Sequence, residues 1–427
     1  MKHDIIDFLS NKSILILGYG REGKSALEFI RTNLPGAKVA VADANPLDLQ
    51  SVKTITGPNY LDTMDDYDLI IKSPGVPALE DAFVRNAAKI TSLTDMFMRF
   101  CQNPIIGVTG TKGKSTTASL THHILKQCGR DTILVGNIGI ACFTAIDQIK
   151  PETIIVFELS CHQLEFIQAS PHVAILLNLY QEHFDHYRTP EDYYNAKKNI
   201  YKFQGTDDVL IYGDIFHHAN REEIEHLPMH KVDIYHDINI PSYKIKTNLV
   251  GDHNLHDIYA TIAACEAMGL SEDEILPAIA SFHGLPHRME YVGKFHGIDY
   301  YNDSIATAQE AVINAVKALK RVDTLILGGM ERNLDYHPLV EFLRTSSVRN
   351  IILLPNTAES FQRIFNEAPF SQQLILVRDM AEAVARADQF TAKEHICLLS
   401  PAAASYGFYK NFEERGDDFK RLVSMLK

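Results

Sequence analysis

Residues 107–117 read Gly-Val-Thr-Gly-Thr-Lys-Gly-Lys-Ser-Thr-Thr, between the apolar run Asn103-Pro104-Ile105-Ile106 and a helix-like segment from Thr116 to Gln127. A glycine-rich turn that closes a strand and opens a helix, ending in Gly-Lys-Ser, has the character of a phosphate-binding loop. Its glycines let backbone N–H groups turn inward around phosphate oxygens; the lysine reaches the terminal phosphates and the serine hydroxyl ligates Mg²⁺. Gly107 stands one residue early for the full G-x-x-x-x-G-K-[ST] spacing, but Gly110, Thr111, Lys112, Gly113, Lys114, Ser115 and Thr116 keep its core. These residues predict an ATP or GTP site. They also constrain the fold, because in doubly wound α/β sheets ligands collect at the carboxyl ends of the strands.

The strand ends downstream carry the right chemistry for such a site. The runs 153–157 and 173–178 are apolar and end in Glu158-Leu159-Ser160-Cys161-His162-Gln163 and Gln181-Glu182-His183-Phe184-Asp185-His186. A carboxylate at the end of an apolar strand is costly unless something satisfies it. For Glu158 that is a structural salt bridge or Mg²⁺ beside Ser115, since Mg²⁺ takes one or two carboxylates plus phosphate oxygens. The helical stretch 190–203 contains Lys197, which its local sequence reads as a solvated lysine.

Ahead of the phosphate loop lies a second glycine turn. Ser13-Ile14-Leu15-Ile16-Leu17 runs into Gly18-Tyr19-Gly20-Arg21-Glu22-Gly23, then a helix over 24–32, a strand over 38–42 and Asp43. This G-x-G-x-x-G pattern aims a helix N-terminus at a diphosphate, with the acidic residue meeting a ribose or base. Alone it fits a dinucleotide, a UDP-sugar or mere helix–strand packing. After Gly284-Leu285-Pro286-His287-Arg288, strand and helix patterns alternate again up to the run 395–399, whereas 214–250 reads only as connecting strands and loops. The 427 residues suit about three domains. We divide them as 1–95, a Rossmann-like domain; 96–286, a central P-loop ATPase domain with a parallel sheet; and 287–427, a second Rossmann-like α/β domain.

Composition excludes some partners. The formal net charge of -13 argues against nucleic acid and anionic membranes, so anionic substrates need local cations. Six cysteines without metal-ligand spacing suit reduced thiols and the cytoplasm, and no signal-like or membrane-spanning run is visible.

Taken in order, TGTKGKSTT, ELSCHQLE, EHFDHY, NAKKNIY, GDHNLHD, GLPHR, NDSIAT and LLSPAAASYGFYKNFEERG resemble the Mur ligases of peptidoglycan synthesis over essentially the whole chain. The resemblance implies an ATP-dependent ligase that adds D-glutamate to UDP-N-acetylmuramoyl-L-alanine through an acyl phosphate, acting in the cytoplasm as a monomer. On matched positions, Lys114 and Ser115 would hold the phosphates and a first Mg²⁺, with Glu158 as its ligand. His183 and a carbamylated Lys197 would hold a second Mg²⁺. Asn254 and Asp257 would face the adenine, Arg288 the nucleotide and Asp303 its ribose. Gly18, Gly20, Asp43, Ser73, Asn137, Ser160 and Gln163 would hold the UDP substrate, and Thr307, Arg332, Ser405 and Phe412 the glutamate.

Three positions depart from the family pattern. Asp257 replaces an Asn, Ile305 a Lys in the Asn-Asp-Ser segment, and Arg332 the Lys expected on the glutamate side chain. Ionised Asp only accepts hydrogen bonds, and Arg pairs with a carboxylate at a different reach from Lys. Other outcomes are ligation of L-glutamate or another amino acid, a folylpolyglutamate-synthetase-like ligase, an NAD-binding oxidoreductase, and an inactive nucleotide-binding relative.

Overall fold

The structure is a computed structural model that describes residues 1–79, 81–180, 186–187, 189–249, 251, 253–332 and 334–426, with His253 by its backbone alone. Three sheets follow one another along the chain. The first comprises β1 (Ser13–Leu17), β2 (Lys38–Asp43), β3 (Lys53–Thr56), β4 (Leu69–Lys72) and β5 (Ile90–Thr91), in the order β3-β2-β1-β4-β5. The second comprises β6 (Ile105–Thr109), β7 (Thr132–Gly136), β8 (Ile154–Glu158), β9 (Val173–Asn178), β10 (Val209–Asp214) and β11 (His230–Asp233), in the order β11-β10-β9-β6-β8-β7. Both are parallel throughout.

The third sheet holds β12 (Glu290–Phe295), β13 (Ile298–Asn302), β14 (Val322–Gly329), β15 (Asn350–Asn356), β16 (Gln373–Leu376) and β17 (Ile396–Leu399), in the order β12-β13-β17-β14-β15-β16. Only the edge pair β12–β13 is antiparallel. Parallel sheets are covered by helices on both faces, so their central strands read as unbroken apolar runs. β6 and β14 are buried at every residue.

The chain divides into two compact units, Met1–Lys246 with His253–Ala280, and Thr247–Asp252 with Ser281–Lys427. The first unit contains two sheets because one apolar core serves both, from Ile14 and Ile16 through Phe97 to Phe157 and Leu176. Phe97 meets Phe157 edge-on at 5.6 Å. Phe97 lies on the helix Leu93–Phe100, capped by the Ser92 side chain on Asp95 N–H, so the boundary expected after residue 95 falls inside a helix.

Other differences lie mostly at element ends. The helix expected from residue 24 begins at Arg21, next to the glycine turn. The phosphate-loop helix is Lys114–Gln127. A helix over Lys2–Leu9 was not expected, and 214–250 contains the helix Arg221–Glu225 as well as β11.

Candidate active site

The phosphate loop is held in shape by the end of β9. Asn178 accepts from Lys112 N–H at 2.9 Å and donates back to Lys112 O at 3.1 Å, while Thr111 N–H donates to Asn178 O at 3.1 Å. Tyr180 N–H donates to Thr111 Oγ1 at 2.9 Å. Gly110 and Gly113 take φ of +157° and +87°, which side-chain-bearing residues rarely adopt. A Cβ at Gly113 would also stand 2.2 Å from Asp257 Oδ1.

Two ammonium groups meet on one carbonyl of this loop. Lys114 Nζ donates to Gly110 O at 2.9 Å and to Thr111 O at 3.0 Å, and Lys197 Nζ donates to Gly110 O at 2.8 Å. Lys197 is only 1% exposed, so the solvated reading of its local sequence is corrected. Its helix, Pro190–Lys202, opens with a Thr189–Asp192 capping box that fixes the first turn. Unmodified, the pair concentrates positive charge where phosphates would be cradled; carbamylation of Lys197 would put a carboxylate there instead.

Glu158 is fully buried at the end of β8, next to the strand that enters the loop. Its Oε1 accepts from Asn137 Nδ2 at 3.2 Å, and its Oε2 has no hydrogen-bond partner among the described residues. An orphaned buried carboxylate oxygen is costly, and a divalent cation would satisfy it. The residues therefore fit Mg²⁺, although among the described residues no group of three His, Cys, Asp or Glu side chains gathers for a metal. His183 lies outside the described residues.

A cavity of about 790 Å³ joins the two glycine turns. Gly18, Gly20, Asp43, Ser73, Asn137, Ser160 and Gln163 line it together with Lys114 and Lys197. Gly18 has φ +85°, and Ser73 Oγ donates to its carbonyl at 2.7 Å. Nothing lies within 4 Å of where a Cβ on Gly20 would stand, leaving that side of the turn open to a ligand. Asp43 Oδ2 accepts from Tyr19 N–H at 2.7 Å. Burial would raise the Asp43 carboxyl, but the N–H groups of Tyr19 and Asn45 outweigh it and hold it below its ordinary range.

Several residues here were not singled out from sequence, because their partners lie far along the chain. Arg21 Nη2 donates to Gly136 O at 2.8 Å. Glu22 Oε1 accepts from Gln163 Nε2 at 2.9 Å, and Gln163 Oε1 accepts from Ser160 N–H at 3.0 Å, so the first glycine turn is tied to the end of β8. Lys72 and His186 share the buried Glu165 carboxylate, at 2.7 and 2.8 Å. Burial raises that carboxyl, and the hydrogen bond with His186 and the Lys72 charge bring it below its ordinary range.

Asp257 lies on the helix His253–Ala267, which packs along the phosphate-loop helix. It is buried against Gly113, and burial pushes its carboxyl up to about 7. Asn254, three residues earlier, is half-buried.

In the second unit Asp303 is buried, accepting from Met289 N–H at 3.1 Å and Ser400 Oγ at 2.7 Å. Burial pushes its carboxyl up to about 6; Arg288 nearby is exposed. The loops after β13, β14 and β17 meet: Ala402 N–H donates to Ala306 O at 2.9 Å and Met330 N–H to Ala404 O at 2.8 Å. This gathers the segments of Thr307 (exposed), Arg332 (exposed) and Ser405 (buried), with Phe412 half-buried at the start of the helix Phe412–Ser424.

Comparison with known proteins places the chain among relatives of one family. Residues 108–232 match the Mur ligase middle domain and residues 287–403 the Mur ligase glutamate ligase domain. The chain is 31% identical to the UDP-N-acetylmuramoylalanine–D-glutamate ligase of Clostridium botulinum strain Hall, over 98% of each chain. It is 30% identical to the protein of that name from Clostridium acetobutylicum, over 100% of this chain and 99% of that one. In fold it is similar to MurF ligase from Thermotoga maritima in complex with ADP, with a TM-score of 0.56 and 17% identity, over 97% of this chain and 95% of that one. It is likewise similar to UDP-N-acetylmuramate-alanine ligase MurC from Thermotoga maritima, with a TM-score of 0.54 and 17% identity, over 98% and 100%.

Proposed function

The chain belongs to the Mur ligase family, and from that membership we propose that it joins D-glutamate to UDP-N-acetylmuramoyl-L-alanine, converting ATP to ADP and phosphate, in peptidoglycan precursor synthesis. It is an ATP-dependent ligase. One cavity carries the assignment of substrates: it runs from a turn suited to a diphosphate to the two lysines at a phosphate loop. A uridine diphosphate at Gly18, Gly20, Asp43 and Ser73 would thereby direct the rest of its molecule toward Lys114.

A free carboxylate is too poor an electrophile for amide formation. Its oxygen attacks the γ-phosphorus of ATP and ADP departs; the glutamate amine then attacks the acyl carbon, loses a proton, and inorganic phosphate leaves. Catalysis of phosphoryl transfer is mostly positioning and charge neutralisation. Lys114, held by the loop carbonyls, would supply charge to the phosphoryl oxygens, and the turn N–H groups would orient the nucleotide. Asn254, Asp257, Arg288 and Asp303 are assigned to the nucleotide. Ser115 and Glu158 would hold Mg²⁺, and His183 with a carbamylated Lys197 a second ion. When bound, Mg²⁺ screens the charge building on the phosphoryl oxygens. Thr307, Arg332, Ser405 and Phe412 are assigned to the glutamate. We place a single chain at work in the cytoplasm, which suits its six unpaired thiols.

The test is phosphate release from ATP with UDP-N-acetylmuramoyl-L-alanine and each of D-glutamate, L-glutamate and D-aspartate. Release that requires the UDP substrate and is greatest with D-glutamate is expected. Preference for another amino acid would move the specificity, and release independent of any amino acid would overturn the ligase reading.

A further inference from the structure

Arg415 is 1% exposed and, by volume, heads the fully buried side chains. Among the described residues its guanidinium has no acidic partner. Nε donates to Ser304 Oγ at 3.0 Å, Nη1 to Ala403 O at 3.0 Å and Nη2 to Ser304 O at 2.7 Å, all neutral oxygens. Burying a charge without a counterion is expensive, and the cost is tolerated where that charge is used. Burial lowers its pKa to about 10, which leaves it charged at neutral pH.

Its position is as telling as its charge. Ser304 follows β13, Ala403 follows β17, and a Cβ on Gly329, the last residue of β14, would stand 3.0 Å from Arg415 Nη1. Ser304 Oγ in turn donates to Phe412 O at 2.8 Å. One guanidinium thus lies under all three loops that carry Thr307, Arg332 and Ser405, and under the helix start that carries Phe412. Its planar fork holds several acceptors in one fixed plane, a geometry that an ammonium does not impose. In a dry site its field reaches further than that of an exposed arginine.

We propose that Arg415 is a positioning and specificity-determining residue for the amino-acid substrate: held by its hydrogen bonds to the loops after β13 and β17, next to the end of β14, its uncompensated charge selects an amino acid with two carboxylates. The assignment rests on the ligase reading above. It acts through the loops and through space, and Arg332 or Ser405 makes the contact.

The full chain is compared with Arg415→Lys and Arg415→Gln in the phosphate-release assay, with melting curves to verify folding. Arg415→Gln raises KM for glutamate about ten- to a hundredfold, the effect of losing one charge across a few ångströms of protein. Its kcat and its KM values for ATP and the UDP substrate stay near wild type. Arg415→Lys, which keeps the charge but not the fork, recovers most of the glutamate KM. If the two variants are equally impaired, or kcat falls in step with the glutamate affinity, Arg415 is only a brace and the proposal is overturned. Should Arg415→Gln fail to fold, Arg415→Lys decides alone: a KM close to wild type supports the proposal, and a ten- to hundredfold rise overturns it. If the wild-type chain itself shows no glutamate-dependent release, the ligase reading falls, and this assignment with it.

Discussion

Asp257 occupies a position where the family pattern has Asn, and it is buried against Gly113. Its carboxyl is pushed up to about 7, against about 3.9 in an unfolded chain. Between those values the folded chain keeps a proton that the unfolded chain has lost. Stability therefore falls as pH rises through that window and stays low above it. Asp257→Asn removes the penalty, so it should raise the melting temperature by a few degrees at pH 8 and hardly at pH 4. An equal shift at both pH values would show an ordinary carboxyl. Arg332→Ala tests the side-chain anchor. Losing a charged hydrogen bond costs about 1.5–3 kcal/mol, hence a ~10- to 100-fold rise in KM for glutamate alone. An unchanged glutamate KM would leave Arg332 as an exposed surface arginine. Lys114, Ser115 and Glu158 were legible because each sits in a local pattern. Asn178, Glu22 and Arg415 were not, since what distinguishes them is a partner 66 to 141 residues away. In sequence Arg415, within Glu-Glu-Arg-Gly, looks like part of a solvated face.

Strands were the most legible elements. Both phosphate-site sheets are parallel and covered on two faces, so β1, β6, β8 and β9 announce themselves as apolar runs. Helix starts were less so, because a cap is set by backbone geometry that composition only hints at. The phosphate loop shows how one element is shaped by another. Asn178, at the end of β9, makes two hydrogen bonds to the backbone of Lys112. Asn178→Ala leaves the strand intact but frees the loop. At about 1 kcal/mol per lost bond, KM for ATP should rise about ten- to thirtyfold while UDP binding is unchanged. Equal weakening of both ligands in a binding titration would mean that the substitution disturbs the sheet rather than the loop.

The whole chain forms two compact units rather than one body per sheet, because a shared apolar core unites the first two sheets. That core was hidden in the sequence, where the two glycine turns look like separate nucleotide folds. If the units unfold independently, calorimetry should resolve two transitions. UDP at saturating concentration should raise only the one belonging to the first unit, by about 2.7 kcal/mol of stability at a hundredfold excess over its Kd. A single transition, or a shift of both, would show the units to be coupled. The division also has a consequence for how the chain is made. Residues 247–252 belong with 281–427, yet they precede the helix His253–Ala267 that covers the phosphate-loop helix. On a ribosome the first unit cannot be completed before residue 280 has emerged, and by then 247–252 is already outside, waiting for partners not yet synthesised. No single cut in the gene can part the two units and leave both whole: a cut after 246 takes the helix beside the phosphate loop from the first, and a cut after 280 takes 247–252 from the second.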